Sequence, residues 1–414
     1  MAAETKRLSF MLVAGETSGD ALAAELVQAL RCSPQVQAMP FPPEFFGAGG
    51  PRLAEAGAQL AVDLTQHAVI GLSDALKKYR QFKRIFDELF QLALGREPDA
   101  ILCVDFSGFN LRFAHAVKQY LRARRETFLN WQPKLVQYVS PQVWASRPGR
   151  ARQLERDVDL LLSIFPFEKA WYARHAPGLR VEFVGHPMVD RFAMDDLRWP
   201  RASAGETSIA NRKSLILLLP GSRIEELRRH LPVMMAAARL IQEARPDTLF
   251  QMALPNEKLK RLAEAQSGLP PQLEIQFGAL PASLAKADLA IASTGTVTLE
   301  CAHFGVPAVA IYRSSWSTYL IARLIVQVKY LAMPNLLAGE AIYPEFIQHQ
   351  ATAENITRAA LELLTDRERR KTVKTKLAQV IKSLGGPGAS ERAAKAVLGL
   401  VEQGPFPIRA SLVD

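Results

Sequence analysis

Short runs of consecutive apolar residues alternate along the chain with segments whose apolar positions recur every three or four residues. In the first half the runs are Ser9–Val13, Ala100–Val104, Leu135–Val139 and Leu160–Phe165, followed by helical-period stretches such as Ala21–Arg31 and Leu111–Arg125. In the second half they are Leu215–Leu219, Leu249–Ala253, Leu273–Phe277, Leu289–Ala292 and Ala308–Tyr312. Val/Ile/Leu runs without in–out alternation suit parallel strands covered on both faces. The strand–helix rhythm therefore predicts an α/β protein with parallel sheets.

The rhythm breaks between Arg191 and Arg212, a polar stretch with Pro and Ser that reads as a linker. The break follows Gly185-His186-Pro187 and predicts two doubly wound domains, residues 1–187 and 188–384. Gly385-Gly386-Pro387-Gly388 then separates a last segment, 385–414, with a helix over Ser390–Gln403. Ligands of such sheets bind outside the carboxyl ends of the strands, so a cleft between the halves is the expected site. No repeat of 20–50 residues is visible.

A length of 414 residues with 49% apolar and 22% charged positions fits two globular domains. Lys and Arg number 51 against 41 acids, a net +10. This suits a polyanionic partner: nucleic acid, an anionic membrane or phosphorylated small molecules. The longest apolar run, Phe304–Tyr312, contains Gly and Pro and is far shorter than the roughly 20 residues of a membrane span. Lys6-Arg7 and the apolar Leu8–Gly15 imitate a signal peptide, but the run passes straight into Glu16 and Asp20 without a cleavage site. Cys32, Cys103 and Cys301 are too widely spaced for a disulfide framework or zinc site. The expectation is a cytoplasmic protein with a mature N-terminus.

Four loops carry candidate chemistry. Ala14-Gly15-Glu16-Thr17-Ser18-Gly19-Asp20 turns from the first strand into a helix and sets two carboxylates at the strand's carboxyl end. The alternative is that Asp20 or Ser18 only caps that helix. Phe46-Gly47-Ala48-Gly49-Gly50 reads either as a phosphate loop or as an ordinary glycine turn. Leu219-Pro220-Gly221-Ser222-Arg223 offers a diphosphate an arginine beside helix-opening amides, unless Arg223 is merely a surface residue. Ser293-Thr294-Gly295-Thr296-Val297-Thr298-Leu299-Glu300 opens a helix with small hydroxyl residues, a diphosphate seat with Glu300 within reach of ribose hydroxyls, or else a capped helix with a solvent-facing Glu.

Asp157-Val158-Asp159 imitates a metal-binding pair, but Asp157 reads better as a surface group ending a helix, and the histidines lack ligand spacing. No Walker loop, Gly-x-Ser-x-Gly or Gly-x-Gly-x-x-Gly occurs. His67–Lys83 places Val69, Ile70, Leu72 and Leu76 near helical spacing among Lys77, Lys78, Arg80 and Lys83, either an interfacial membrane helix or an amphipathic helix packed on a sheet.

Taken together these segments resemble the lipid-A-disaccharide synthase family. The resemblance spans most of the chain: AGETSGD at Ala14–Asp20, FGAGG, VIGLSDAL at Val69–Leu76, SPQVWASRPGR at Ser140–Arg150, DLLLSIFPFE at Asp159–Glu168, FVGHP at Phe183–Pro187, LPGSR, GTVTLE, MPNLLAG at Met333–Gly339 and YPEFIQ at Tyr343–Gln348. Each motif alone is weak; their shared order and spacing make the likeness specific.

The resemblance implies a GT-B fold and an inverting glycosyl transfer from UDP-2,3-diacylglucosamine to 2,3-diacylglucosamine 1-phosphate (lipid X), without metal or other cofactor. It implies a peripheral enzyme on the cytoplasmic leaflet of the inner membrane, with Val69, Ile70, Leu72 and Leu76 as membrane contacts. It further implies homodimers and a C-terminal segment that packs on the N-terminal domain or a partner subunit. The nucleotide-sugar residues would be Arg223, Gly278, Ser293, Gly295, Thr296, Thr298, Glu300, Asn335, Glu345 and Gln348. The acceptor residues would be Gly15, Ser18, Gly49, Asn110, Trp144, Arg147 and Arg150.

Two departures stand out. The family's Asp-x-Pro-Asp-Phe-Asn is here Asp105-Phe106-Ser107-Gly108-Phe109-Asn110, and the second Trp of its Trp-Ala-Trp-Arg is Ser146. An inverting transfer needs a carboxylate near the acceptor hydroxyl. Asp105 is the first candidate and Glu16 the second. The competing readings are a UDP-sugar epimerase of the same fold and a non-catalytic membrane-associated homologue. Nucleic-acid binding ranks below both, since no recognition motif appears.

Overall fold

A computed structural model describes residues 7–68, 75–124, 131–198, 213–266, 270 and 272–402. The chain divides into two compact units, one formed by residues up to Pro187 together with those from Gly386 onward, the other by Met188–Gly385.

The first unit holds a seven-stranded sheet: β1 (Ser9–Ala14), β2 (Glu44–Gly49), β3 (Gln59–Asp63), β4 (Ala100–Val104), β5 (Lys134–Tyr138), β6 (Leu160–Ser163) and β7 (Val181–Phe183), in the order β3-β2-β1-β4-β5-β6-β7. Every pairing is parallel. All residues of β1 and β4 are buried, which explains their unbroken apolar sequences. On one face Met11, Val13, Ile101 and Cys103 pack with Phe109, Phe113, Leu89 and Trp131. Elsewhere in the unit the C-terminal helix Ala389–Glu402 packs against helix Thr17–Cys32, and Arg392 Nε donates to the Val184 carbonyl at 2.7 Å.

The second unit repeats the scheme with six parallel strands: β8 (Leu215–Leu219), β9 (Leu249–Leu254), β10 (Glu274–Phe277), β11 (Leu289–Ser293), β12 (Ala308–Tyr312) and β13 (Glu345–Ile347), in the order β10-β9-β8-β11-β12-β13. In each sheet the order reverses beside the first strand, at β1/β4 and at β8/β11. Loops leaving neighbouring strands diverge there and open a crevice at the carboxyl ends.

Three sequence expectations need correction. The glycine-rich Phe46–Gly49 is β2 itself and not a loop. Gly47 has φ 136°, and a Cβ there would lie 2.1 Å from the Leu12 carbonyl oxygen, so the glycine serves strand-to-strand approach. The expected linker from Arg191 begins as helix, Pro187–Arg198, because Met188, Val189 and Phe192 form a buried face. Phe192 packs on His303 and Phe304, and residues 199–212 lie outside the described residues. Asp157 is buried, not a surface group: it pairs with His115 at 2.8 Å and Arg122 at 3.8 Å, while Asp159 binds Lys118 at 2.8 Å.

Candidate active site

The carboxyl ends of β1 and β4 gather the first set of candidates. Glu16 stands exposed at the start of helix Thr17–Cys32, and its side chain makes no capping bond. Ser18 Oγ lies 3.4 Å from Asp105 Oδ2. Burial pushes the Asp105 carboxyl above its usual range, with the Phe106 amide and the Ser18 hydroxyl opposing the shift. Asp105 and Phe106 both have left-handed backbones, φ 51° and 42°, and Val139 after β5 has φ 65°. Each such residue costs about 1–3 kcal/mol, and clustering at strand ends is typical of functional loops.

The strain is held by fasteners. Asn110 is fully buried, and its Nδ2 reaches the carbonyls of Val13 (3.1 Å), Val104 (3.3 Å) and Asp105 (2.9 Å). It ties β1 to β4 directly beneath Asp105. Gly15 admits the Phe106 ring, since a Cβ there would lie 2.2 Å from Phe106 Cδ1. Asp20 turns away from the crevice. It is 2% exposed and accepts the amides of Gly50 (2.7 Å), Arg52 (3.1 Å) and Leu53 (3.1 Å). It thus caps helix Pro51–Glu55, not its own helix, and the amides that a phosphate would use are taken. Gly49, expected to touch the acceptor, sits against Leu53 and Asp20 in that cap.

After β5, Trp144 is buried, contrary to a ring offered to substrate. Its Nε1 donates to Glu168 Oε1 at 2.9 Å, and its ring packs edge-on to Phe167. Glu168 is fully buried, and desolvation pushes its carboxyl up to about 7. Arg147 remains exposed and Arg150 half-buried on the loop that this pair anchors.

In the second unit, two helix starts face the carboxyl ends of β8 and β11. At the first, Glu226 accepts the amides of Ser222 (2.9 Å) and Arg223 (3.3 Å) and pairs with the Arg223 guanidinium at 3.3 Å. Those amides are therefore already engaged, and the 75% exposed Arg223 side chain is what the loop offers an anion. At the second, Gly295 (φ 124°) opens helix Thr296–His303 with no side-chain cap, and Thr296 is exposed. This uncapped start is the better anion seat. Glu300 lies one turn further, half-buried; desolvation pushes its carboxyl up to about 7, against the pull of Arg191. Ser293 is buried at the end of β11, and Gly278 (φ 70°) is exposed after β10.

The remaining candidates are fasteners. Thr298 Oγ1 donates to the Gly295 carbonyl (2.6 Å) and accepts the Met333 amide (3.1 Å). Asn335 binds the Tyr343 carbonyl, Glu345 and the amides of Ile342 and Tyr343. Glu345 accepts the amides of Leu331 and Ala332, both at 3.0 Å, capping helix Met333–Ala338. Gln348 holds both backbone groups of Ser314 at 2.8–2.9 Å. Sequence reasoning overlooked His230. It is fully buried, its Nδ1 lies 2.7 Å from the Pro220 carbonyl and its Nε2 accepts the Arg313 amide at 2.9 Å. Burial lowers its pKa, so the neutral Nδ1–H form ties the loop after β8 to the loop after β12. The helical period, which sets His230 with Leu227, Leu231 and Met234, signals only its burial.

A family model described as lipid-A-disaccharide synthetase matches residues 10–399. The chain belongs to this family. The lipid-A-disaccharide synthase of Trichlorobacter lovleyi is 36% identical, covering 95% of this chain and 97% of that protein. Among solved structures, CalG4, the calicheamicin glycosyltransferase, has a TM-score of 0.57 at 15% identity over 95% of this chain and 99% of its own. A UDP-N-acetylglucosamine 2-epimerase has a TM-score of 0.56 at 15% identity, covering 97% and 98%. At such identities these two likenesses show the GT-B fold alone, so the epimerase reading has no support beyond architecture, and the synthase family gives the function.

The family's second loop acid is replaced by Gly108, where a Cβ would meet no atom within 4 Å. The position is exposed in the first turn of helix Ser107–Ala123, so losing that carboxylate leaves the fold beneath Asp105 intact. Ser146, the other departure, is half-buried at the end of a one-turn helix. Among the membrane-contact candidates, Val69, Ile70 and Leu72 lie outside the described residues, and Leu76 belongs to helix Ala75–Arg96.

Proposed function

We propose that this member of the lipid-A-disaccharide synthase family joins UDP-2,3-diacylglucosamine to lipid X, with Asp105 as the general base. The acceptor 6-hydroxyl attacks the anomeric carbon of the donor, its proton passes to the Asp105 carboxylate, and the bond from that carbon to the β-phosphate oxygen breaks with inversion. The products are the β-1,6-linked disaccharide 1-phosphate and UDP. The observation that carries the assignment is the strained, half-buried Asp105 above Asn110, with its carboxyl raised by burial. A raised pKa makes the carboxylate a better proton acceptor near neutrality. Glu16, exposed and without a bond that orients it, is the weaker candidate.

The departing diphosphate is received by the uncapped start of helix Thr296–His303 and by Arg223, which releases Glu226 to do so. Glu300 accepts from the ribose hydroxyls. Arg147 and Arg150 hold the 1-phosphate of lipid X. In this reading no step requires a metal or other cofactor, and Asn335, Glu345, Gln348, Thr298 and Trp144 position the loops instead of touching substrate. The enzyme works at the cytoplasmic face of the inner membrane, where both lipid substrates lie; among the described residues no helix is long and apolar enough to cross it. A homodimer is part of the same reading.

The test is incubation of purified protein with the UDP-diacyl donor and radiolabelled lipid X, with and without EDTA. Equal disaccharide yields are expected. No product under either condition would overturn the transferase, and loss only with EDTA would overturn the metal-free mechanism.

A further inference from the structure

Among the described residues of the second unit, the three most exposed large apolar side chains lie together on one helix, while the fourth, Phe277, ends β10. Trp316, Leu320 and Leu324 are 62%, 57% and 88% exposed in helix Trp316–Ile325. At four-residue spacing they span about 80° of the helix circumference and roughly 12 Å of its length, a single stripe. Sequence motifs and the catalytic proposal leave it unexplained. Isolated exposed leucines need no explanation, but an aligned Trp-Leu-Leu stripe implies a partner.

The charge around it narrows the partner. From Glu300 to Glu340 the chain has no acidic residue between those two, in a protein where acids number 41 of 414. Within that interval Arg313, Arg323 and Lys329 are exposed. Arg313 also lines a cavity of about 310 Å³ beside Trp316, together with Arg229, Ser314 and Ser315. Tryptophan and long cations around an apolar stripe match the boundary between headgroups and acyl chains of an anionic bilayer.

We infer that helix Trp316–Ile325 is a membrane-docking element that lies in the surface of an anionic bilayer, apolar stripe inward and cations among the phosphates. This rests on the proposed membrane location and assigns it a surface in the nucleotide-sugar unit, separate from Val69–Leu76.

The test uses the full chain and flotation with vesicles of phosphatidylethanolamine and phosphatidylglycerol, against phosphatidylcholine alone. Leu320→Gln with Leu324→Gln keeps helix-forming residues at exposed positions, and an unchanged Tm identifies a folded variant. The wild type is expected to float with the anionic vesicles, less so at high salt, and the double variant to partition at least tenfold less. Arg323→Gln with Lys329→Gln should lower binding to the anionic vesicles only. Trp316 emission should shift to the blue with vesicles, a change absent in Trp316→Phe. Equal flotation of wild type and leucine variant would overturn the inference. So would a dimer that becomes a monomer in the leucine variant while vesicle binding persists, since a second copy would then cover the stripe. Disaccharide synthesis in detergent should be the same for wild type and leucine variant, so a failed transferase and a failed docking helix give different results.

Discussion

Replacing Asp20 separates a structural carboxylate from a catalytic one within the same short motif. Asp20 accepts three amides, those of Gly50 and Leu53 in buried bonds and that of Arg52 in a partly buried one. A hydrogen bond to a charged group contributes about 1.5–3 kcal/mol, and a buried donor left unsatisfied costs about 1–3 kcal/mol. Loss of a helix cap by itself costs about 0.5–2 kcal/mol. These contributions overlap, and water can enter the gap left by a truncated side chain. Asp20→Ala is therefore expected to cost about 3–5 kcal/mol, and Asp20→Asn, which keeps one acceptor, about 1–3 kcal/mol. For a unit of this size a kcal/mol moves Tm by about 2–4 °C, so the alanine variant should melt on the order of 10 °C lower. The assay is calorimetry of the full chain, read on the transition assigned to the first unit, with kcat measured well below both transitions. Retained kcat with a lowered Tm is expected. An Asp20→Ala protein that melts within 2 °C of wild type yet loses activity would refute the cap and return Asp20 to the chemistry.

Asp105→Asn should lower kcat by about 10²–10⁴-fold. Asp99→Asn should affect stability more than rate, because Asp99 accepts the Ser9 amide at 2.8 Å at the opposite end of the sheet; equal, small effects on kcat would move the base to Glu16. Gly108→Asp should leave stability unchanged or raise it by up to about 1 kcal/mol, since the side chain enters open space at a helix start; a melt several degrees lower would contradict that geometry. Glu168 is raised to about 7 when folded, so the native state binds its proton where the unfolded chain does not. Stability should be highest below the unfolded value and fall as pH rises toward and through about 7, by on the order of 3 kcal/mol at most. Glu168→Gln should flatten the urea-denaturation profile between about pH 5 and 8; an unchanged slope would refute the assignment.

Much of the fold was legible because buried parallel strands leave a local signature. Leu215–Leu219, Ala100–Val104 and Ala308–Tyr312 occur where the apolar runs lie. The strands missed were β2, β3, β7 and β13. β2 hides behind glycines needed for close approach to β1, β3 is only partly buried, and β7 and β13 are three residues long. The helix over Pro187–Arg198 was hidden in a polar sequence; among its described side chains Met188, Val189 and Phe192 are the large apolar ones that commit it to the core.

The sequence by itself determined the α/β class, most strand positions, the family and the loops that carry polar chemistry. What only the tertiary structure decided is which polar side chains in those loops are free. Asp20 and Ser18 are two residues apart, yet one is consumed by amides near residue 50 and the other faces Asp105. Thr296 and Thr298 divide the same way: the first is exposed, and the second is fastened to Met333. Glu345 and Glu300 are both carboxylates in the second unit, but the first is spent on the backbone of Leu331 and Ala332. The reason is physical. A buried polar group must find hydrogen-bond partners, and those partners come from whichever segment the fold brings alongside. Local sequence marks a residue as able to bind; distant sequence decides whether that capacity is already used.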